Sequence, residues 1–307
     1  MTESRRKMVF ILGLSRVGST MLDLVLGSNP KFVGLGEIFQ VIRPDMNRFN
    51  RDEYCSCGKS VDECPFWGPT AEALRKTQST DLKERYRQVF RTFDSIYSNQ
   101  TILIDSSKLL SVLKIVRTMA EVDLKVIYLI RDVRAWTVSR LKHRKENPSY
   151  YGPRGNYVKR LVGQFGWKAQ AVGWAFTYAT KMPAYHFWLW FLQNKQMQKY
   201  LRNNGVEYFQ LGYDELGLNP ERMMTALFEF LGIPDTGLDF RSQNSSSHVL
   251  IGNIKKTDAK RRQGIFYDYR WIHRNDWLLS AGAFRNIMKY NSQEVYKSIK
   301  TNSIWDS

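Results

Sequence analysis

Long apolar runs and cysteines are scarce in this 307-residue chain, and each shortage excludes a class of protein. The longest apolar run, Tyr185–Leu192, is about half of the roughly 20 residues that a membrane-spanning helix needs. Three cysteines are too few for a disulfide scaffold, and the 20 glycines follow no collagen-like period. The N-terminal apolar run is too short for a signal peptide. Because 43% of the residues are hydrophobic, we expect a single cytoplasmic globular domain over residues 1–307.

Negative charge is also in short supply, since 46 Lys and Arg residues against 29 Asp and Glu residues give a formal net charge of +17. Such an excess fits nucleic acid, an anionic membrane surface or a multiply charged small ligand, and equally a basic solvated surface. The sequence has no helix-turn-helix, zinc-finger or aromatic RNA-binding signature. We therefore predict no nucleic-acid partner and no transmembrane segment, while peripheral contact with a membrane stays open.

Apolar strand-like runs alternate with helix-length segments along most of the chain. The predicted strands are 9–12, 101–104, 125–130 and 206–211, and the predicted helices are 20–27, 109–119, 132–144 and 219–232. Between the second strand and its helix, Asp105–Lys108 is predicted as a turn. Strands that alternate with helices are typical of βαβ units. The sequence therefore predicts an α/β fold with a central parallel sheet flanked by helices, similar to P-loop NTPases.

The segment 148–203 differs from the rest because it is rich in Tyr, Trp, Phe and Gly. We predict a helical, aromatic-rich insertion there. The sequence leaves two alternative roles for these aromatic residues. One is the core of a helical cap, which is the commoner use of such residues. The other is the wall of a pocket on the side of an acceptor molecule.

A loop framed by two glycines, Gly13–Thr20, follows the first strand and opens the first helix. Backbone N–H groups converge at such a position, and the helix dipole adds partial positive charge, so the loop predicts an anion-binding site. The spacing is that of G-x-x-x-x-G-K-[ST], but Ser19 stands at the lysine position. The usual cation for a nucleoside triphosphate is therefore missing, and Arg16 supplies positive charge from a different place in the loop.

Three segments of the chain carry recognisable motifs. They are residues 14–22 in the loop, residues 129–132 followed by Ser139, and residues 213–234. In this order they resemble the 5′-phosphosulfate loop, the 3′-phosphate-binding stretch and a further recurrent segment of sulfotransferases that use 3′-phosphoadenosine 5′-phosphosulfate (PAPS). In the loop, Val17 stands in place of the usual Ser or Thr. The resemblance implies PAPS as co-substrate and no metal ion.

The resemblance also implies which residues bind the donor. They are Arg16, Val17, Gly18, Ser19 and Thr20 for the phosphosulfate group, and Arg131, Ser139 and Arg262 for the 3′-phosphate. Arginine suits a phosphate because its planar guanidinium donates parallel hydrogen bonds. Lys256 is an alternative to Arg262. A sulfuryl group in transfer carries less charge than a phosphoryl group, so side chains alone can stabilise the transition state without magnesium.

Two residues are candidates for the chemical step. Glu37, in a glycine-rich turn, resembles the Gly-Glu that supplies the catalytic base in carbohydrate and tyrosyl-protein sulfotransferases. Such a base is needed because the acceptor hydroxyl loses a proton as it attacks sulfur. Lys108 follows a strand, where ligands bind in open α/β sheets, and can stabilise charge on the donor's bridging oxygen. A surface role for each residue stays open, and His248 is the alternative base.

Cys55, Cys57 and Cys64 resemble a metal knuckle at first sight. Three sulfur ligands without a nearby fourth ligand are incomplete for structural zinc, and no histidine lies between residues 1 and 142. We therefore predict free thiols in a turn and no metal site. A similar Cys-x-Cys-Gly stretch occurs in some bacterial sulfotransferases.

The motifs together predict an enzyme that transfers a sulfuryl group from PAPS to a hydroxyl group by direct displacement, with Glu37 as base. Sugars, lipid headgroups, small alcohols and protein tyrosines all remain candidate acceptors. One alternative is a P-loop kinase or NTPase, which would require magnesium. The other is a non-catalytic basic module that binds an anionic polymer or membrane and releases it at high salt.

Overall fold

A computed structural model describes residues 5–44, 53–77, 79–152, 175, 177–234, 245–252 and 264–297. The chain divides into two compact units. The first comprises Met1–Leu129, Tyr200–Leu211 and Leu216–Phe266, and the second Ile130–Lys199, Gly212–Glu215 and Tyr267–Ser307. The single domain expected from the sequence stays a prediction.

Five strands form a parallel sheet in the order β2-β3-β1-β4-β5. The strands are β1 (Arg6–Gly13), β2 (Phe32–Gly34), β3 (Ile102–Lys108), β4 (Val122–Ile130) and β5 (Tyr208–Gly212). In the middle, β1 pairs in parallel with both β3 and β4. Phe10, Ile11 and Leu12 of β1 are fully buried, as expected for a strand covered on both faces. The predicted α/β class with a central parallel sheet is therefore confirmed.

Helices connect and flank these strands. In the first half of the chain they are α1 (Ser19–Leu26), α2 (Ile38–Ile42), α3 (Trp67–Lys76), α4 (Leu82–Ile96), α5 (Leu110–Val116) and α6 (Val133–Glu146). In the second half they are α7 (Pro183–Asn203), α8 (Tyr213–Leu218), α9 (Pro220–Leu231), α10 (Leu278–Ala283) and α11 (Arg285–Val295). Local sequence signals explain where some helices begin and end. α9 starts with a proline, and Gly232, with φ of 71°, ends it.

The structure corrects the expected turn at Asp105–Lys108, because these four residues continue β3. Their polar side chains suggested a turn, but all four are buried. The strand continues because the polar groups find partners inside the protein. For example, the Ser106 N–H donates to the Gly36 carbonyl over 2.8 Å. Strand β2 and helices α3 and α4 are further elements that the sequence did not predict.

The predicted helical, aromatic-rich insertion contains α7, which is 21 residues long. Phe187 and Trp190 of this helix are buried, so part of its aromatic content serves as core. Residues 153–174 of the insertion lie outside the described residues, and its role beside an acceptor stays a prediction. Within the part of the chain that the structure describes, no helix combines the length and apolarity needed to cross a membrane.

Candidate functional site

The predicted anion-binding loop lies between the central strand β1 and helix α1. Gly13 ends β1 so close to β4 that a Cβ atom there would lie 2.5 Å from the Leu129 carbonyl oxygen. Gly18 precedes α1 with φ of 105°, a backbone conformation that favours glycine. Val17 is 1% exposed and packs towards Gly13. The valine at the usual Ser or Thr position therefore supports the loop from inside. The loop leads directly into the N-terminus of α1, where the helix dipole and backbone N–H groups favour an anion.

Arg16 and Lys108 share an unusual backbone conformation. With φ of 74° and 67°, they are the non-glycine residues of positive φ among those the structure describes. This conformation costs a residue with a side chain about 1 kcal/mol or more, and such strain concentrates at functional sites. In the sheet, Lys108 of β3 is paired with Leu12 of β1, next to the residue where the loop begins. Arg16 therefore follows β1 and Lys108 ends the adjacent strand β3, so both lie at the carboxyl ends of these strands.

The two candidate catalytic residues form an ion pair. Glu37 Oε1 lies 2.5 Å from Lys108 Nζ, and their side chains are 20% and 9% exposed. Lys108 Nζ also donates to the Ser106 carbonyl over 3.2 Å. The pair is thus largely shielded from water, while Glu37 keeps some access to solvent. The sequence singled out each residue separately, and only the structure shows that they are in contact.

Three neighbouring segments hold the turn that carries Glu37. The Gly36 N–H donates to Asp23 Oδ2 of α1 over 3.1 Å, and the Gly36 carbonyl accepts from Ser106 of β3. The Glu37 N–H donates to the Ile251 carbonyl over 3.4 Å. Gly36 has φ of 71°, and a Cβ atom there would lie 2.9 Å from that same carbonyl. The turn therefore requires glycine immediately before the candidate base.

A buried hydrogen-bond network continues from this turn into α2. The Tyr86 hydroxyl donates to Asp105 over 2.6 Å, and Ser107 Oγ donates to the same carboxylate over 2.5 Å. Ser107 Oγ in turn accepts from the Phe39 N–H at the start of α2. Burial raises the pKa of Asp105 to about 6 and that of Asp23 to about 7. Two buried carboxyl groups of raised pKa therefore support the Glu37 turn from β3 and α1.

In the second unit, Arg131 follows β4 directly and already has a carboxylate partner. Its Nη2 lies 2.8 Å from Asp268 Oδ2, and both side chains are 8% exposed. The guanidinium carbon lies 4.8 Å from the centre of the Tyr213 ring, and Trp190 Nε1 donates to the Arg131 carbonyl. Burial opposes ionisation of Asp268, but bonds from Arg270 and the charge of Arg131 lower its pKa to about 2. A phosphate bound by Arg131 would thus share that arginine with Asp268.

Asp132, the acidic neighbour of Arg131, has a structural role. It is fully buried and caps α6 by accepting the backbone N–H of Arg134, whose guanidinium also pairs with it. Asn291 donates to the same carboxylate over 2.8 Å. Ser139 is half-buried on α6. Its predicted contact with the 3′-phosphate stays a prediction, and Arg262 and Lys256 lie outside the described residues.

The sequence shows no fourth ligand near the three cysteines, but the structure places His248 beside them. His248 Nδ1 lies 3.4 Å from Cys64 Sγ and 3.8 Å from Cys55 Sγ, and Cys57 Sγ lies 3.8 Å from Cys64 Sγ. His248 is separated from Cys64 by 184 residues in sequence, so no local spacing could reveal their proximity. The predicted absence of a metal site stays a prediction. Because its ring faces two sulfur atoms, we do not assign His248 as the base.

Comparison with solved structures gives distant likenesses to three bacterial sulfotransferases. A sulfotransferase domain from the curacin biosynthetic pathway is 17% identical, with a TM-score of 0.47 and coverage of 96% of this chain and 98% of that one. A sulfotransferase domain from the Synechococcus PCC 7002 olefin synthase is 15% identical, with a TM-score of 0.40 and coverage of 98% and 97%. A sulfotransferase from Mycobacterium avium is 13% identical, with a TM-score of 0.43 and coverage of 94% and 77%.

These likenesses are too weak to carry an argument, and no curated protein matches the chain. The family assignment rests instead on a sequence model of the sulfotransferase family, which matches residues 8–237. That span covers most of the chain and includes the anion-binding loop, Glu37, Lys108 and Arg131. The chain therefore belongs to the sulfotransferase family, whose members are transferases.

Proposed function

We propose that the protein transfers a sulfuryl group from PAPS to a hydroxyl group, with Glu37 as general base and Lys108 as the cation beside it. The observation that carries this proposal is the Glu37–Lys108 ion pair next to the loop that follows β1. A base and a cation held together beside an anion-binding loop suit a reaction in which a proton is lost and negative charge moves onto a leaving group.

The chemical step balances with these two side chains. The acceptor oxygen forms a bond to sulfur as its proton passes to a Glu37 carboxylate oxygen. The bond between sulfur and the bridging oxygen breaks, and the electron pair stays on the 5′-phosphate of the departing nucleotide. Lys108 stabilises the charge that develops there. A cation preorganised in a shielded site stabilises such charge far better than one in water.

Donor binding in this proposal uses two parts of the chain. The backbone geometry of the loop supports a phosphosulfate site formed by Arg16, the amides of Val17 and Gly18, and the hydroxyls of Ser19 and Thr20. The assignment of the 3′-phosphate to Arg131, Ser139 and Arg262 rests on their sequence motifs. No metal ion is required for this step, because arginine, lysine and backbone amides supply the positive charge.

The acceptor is a small molecule, saccharide or lipid in this proposal. The test is incubation of the protein with donor labelled in its sulfate group and a cell extract, followed by mass spectrometry for sulfated products. We expect a new sulfated compound that is absent without protein and greatly reduced with the Glu37→Gln variant. Hydrolysis of ATP without any transfer from PAPS would contradict the proposal.

A further inference from the structure

A cluster of four metal-ligating side chains lies outside the proposed active site. One ligand atom from each of Cys55, Cys57, Cys64 and His248 lies within 4.8 Å of the other three. Three of the side chains are buried, and Cys57 is exposed. The proposed sulfuryl transfer uses none of these residues, so their convergence needs a separate explanation.

Three of the distances within this cluster match those of a tetrahedral zinc site. With Zn–S bonds of about 2.3 Å and a Zn–N bond of about 2.0–2.1 Å, tetrahedral angles place two sulfurs roughly 3.8 Å apart and sulfur and nitrogen roughly 3.6 Å apart. The Cys57–Cys64 sulfur distance is 3.8 Å, and the two sulfur–nitrogen distances to His248 are 3.4 Å and 3.8 Å. These three distances suit a shared zinc ion, and all four ligand atoms lie within 4.8 Å of one another.

The local backbone presents the sulfurs in the manner of a metal-binding turn. The Gly58 N–H donates to the Cys55 carbonyl, and Gly58 has φ of 86°, which closes a tight turn around Cys57. The Trp67 N–H donates to the Cys64 sulfur over 3.4 Å. Amides that point at sulfur favour thiolates, the form in which cysteine binds metal.

We propose that Cys55, Cys57, Cys64 and His248 bind one structural Zn²⁺ ion. Three thiolates and the neutral His248 Nδ1 complete a tetrahedral shell, and the thiols release their protons when the metal binds. Because all four positions are filled by protein, the site is closed and has no place for a substrate. Zinc is favoured over magnesium or calcium because sulfur and imidazole are its preferred ligands.

The metal would fasten the segment 245–252 to the cysteine turn. Ser56 already bonds this segment, since its Oγ donates to the Ser247 carbonyl over 2.6 Å and accepts the Val249 N–H over 2.8 Å. On its other side the segment contacts the Glu37 turn, where the His248 N–H donates to the Gly34 carbonyl over 2.6 Å. Zinc therefore stabilises the segment against which the Glu37 turn is held. Any effect on catalysis rests on the proposed function, whereas metal binding itself does not.

The experiment measures metal content in the full chain, expressed in zinc-supplemented medium and dialysed without chelator. Elemental analysis should find one zinc per chain, and cobalt substitution should give the visible absorption of tetrahedral cobalt bound to thiolates. Cys57→Ser is the decisive variant because Cys57 is exposed and its loss should leave the fold intact. We expect its zinc affinity to fall by at least about 100-fold, since even an outer-shell partner contributes 10–100-fold.

His273→Ala is the matched control, because His273 is an exposed histidine outside the cluster, and it should retain the parental zinc content. A folded parent chain without zinc, with iron in its place, or with a Cys57–Cys64 disulfide would overturn the proposal. Parental zinc affinity in Cys57→Ser would overturn it as well. Stripping the zinc should also lower the melting temperature, and zinc should restore it; an unchanged melting temperature would overturn the structural role. None of these measurements needs donor or acceptor, so their results are independent of the proposed enzymatic activity.

Discussion

Replacing Glu37 by glutamine tests the proposed base most directly. Glutamine keeps the size of the side chain and can still accept a hydrogen bond from Lys108, but it cannot take the acceptor's proton at neutral pH. A positioned base contributes about 10²- to 10⁴-fold in rate, so we expect turnover to fall by that factor. Glutamine removes the charge opposite Lys108, but its amide oxygen still accepts a hydrogen bond from the ammonium group, and a hydrogen bond to a charged group contributes about 1.5–3 kcal/mol. Because this bond is kept in weakened form, we expect the free energy of unfolding to fall by only about 1 kcal/mol.

The assay combines turnover of labelled PAPS with calorimetry of the product nucleotide, 3′-phosphoadenosine 5′-phosphate. Nucleotide affinity should hardly change, because Glu37 is not assigned to either phosphate. Glu72→Gln is the matched control, since Glu72 forms a glutamate–lysine ion pair with Lys76 at 2.6 Å on the exposed face of α3. That variant should behave like the parent protein. Parental turnover in Glu37→Gln would refute the base assignment, and so would a loss of nucleotide binding parallel to the loss of rate, which indicates a damaged fold.

Three further predictions concern the donor, the metal requirement and pH. Arg16→Ala and Arg131→Ala should each weaken binding of the product nucleotide by about 1.5–3 kcal/mol in calorimetry, and parental affinity in both would contradict the donor assignment. Turnover should persist during a brief exposure to excess EDTA, too short to strip the proposed structural zinc; loss on chelation with recovery in magnesium would favour a kinase. Burial raises the pKa of Asp23 from 3.8 to about 7. Between these values the folded chain holds a proton that the unfolded chain has released, so this group lowers stability as pH rises through that window. In Asp23→Asn the urea midpoint should fall less between pH 5 and pH 8 than in the parent, and equal falls would count against the argument.

The backbone at Lys108 is strained, and its contact with Glu37 gives that strain a functional reason. Lys108 has a left-handed backbone at the end of β3, which costs conformational energy for a residue with a side chain. Glu37 follows Gly36, whose positive φ is free of this cost because glycine has no Cβ atom. We expect strain such as that at Lys108 where a protein must hold a charged side chain beside a ligand site.

Much of the fold followed from local signals in the sequence. Apolar runs of strand length, glycine turns and helix stop signals are short-range features, and they predicted β1, β4, α1, α6 and α9 within a few residues. The loop Gly13–Thr20 was predicted for the same reason, since its function depends on backbone geometry between consecutive elements. Where burial overrides local polarity, this reasoning failed. Asp105–Lys108 looked like a turn but extends β3, because Tyr86 and Gly36 satisfy its polar groups inside the protein.

Only the tertiary structure decided which distant residues meet. The order of strands in the sheet, the ion pair of Glu37 with Lys108 and the pairing of Arg131 with Asp268 all join separate parts of the chain. The largest difference concerns His248, which lies 184 residues beyond Cys64 in sequence and yet contacts the cysteine cluster. Periodicity and turn chemistry act over a few residues, whereas these contacts arise when buried elements pack. The sequence alone therefore predicted the local elements and candidate residues, and packing determined which of them come together.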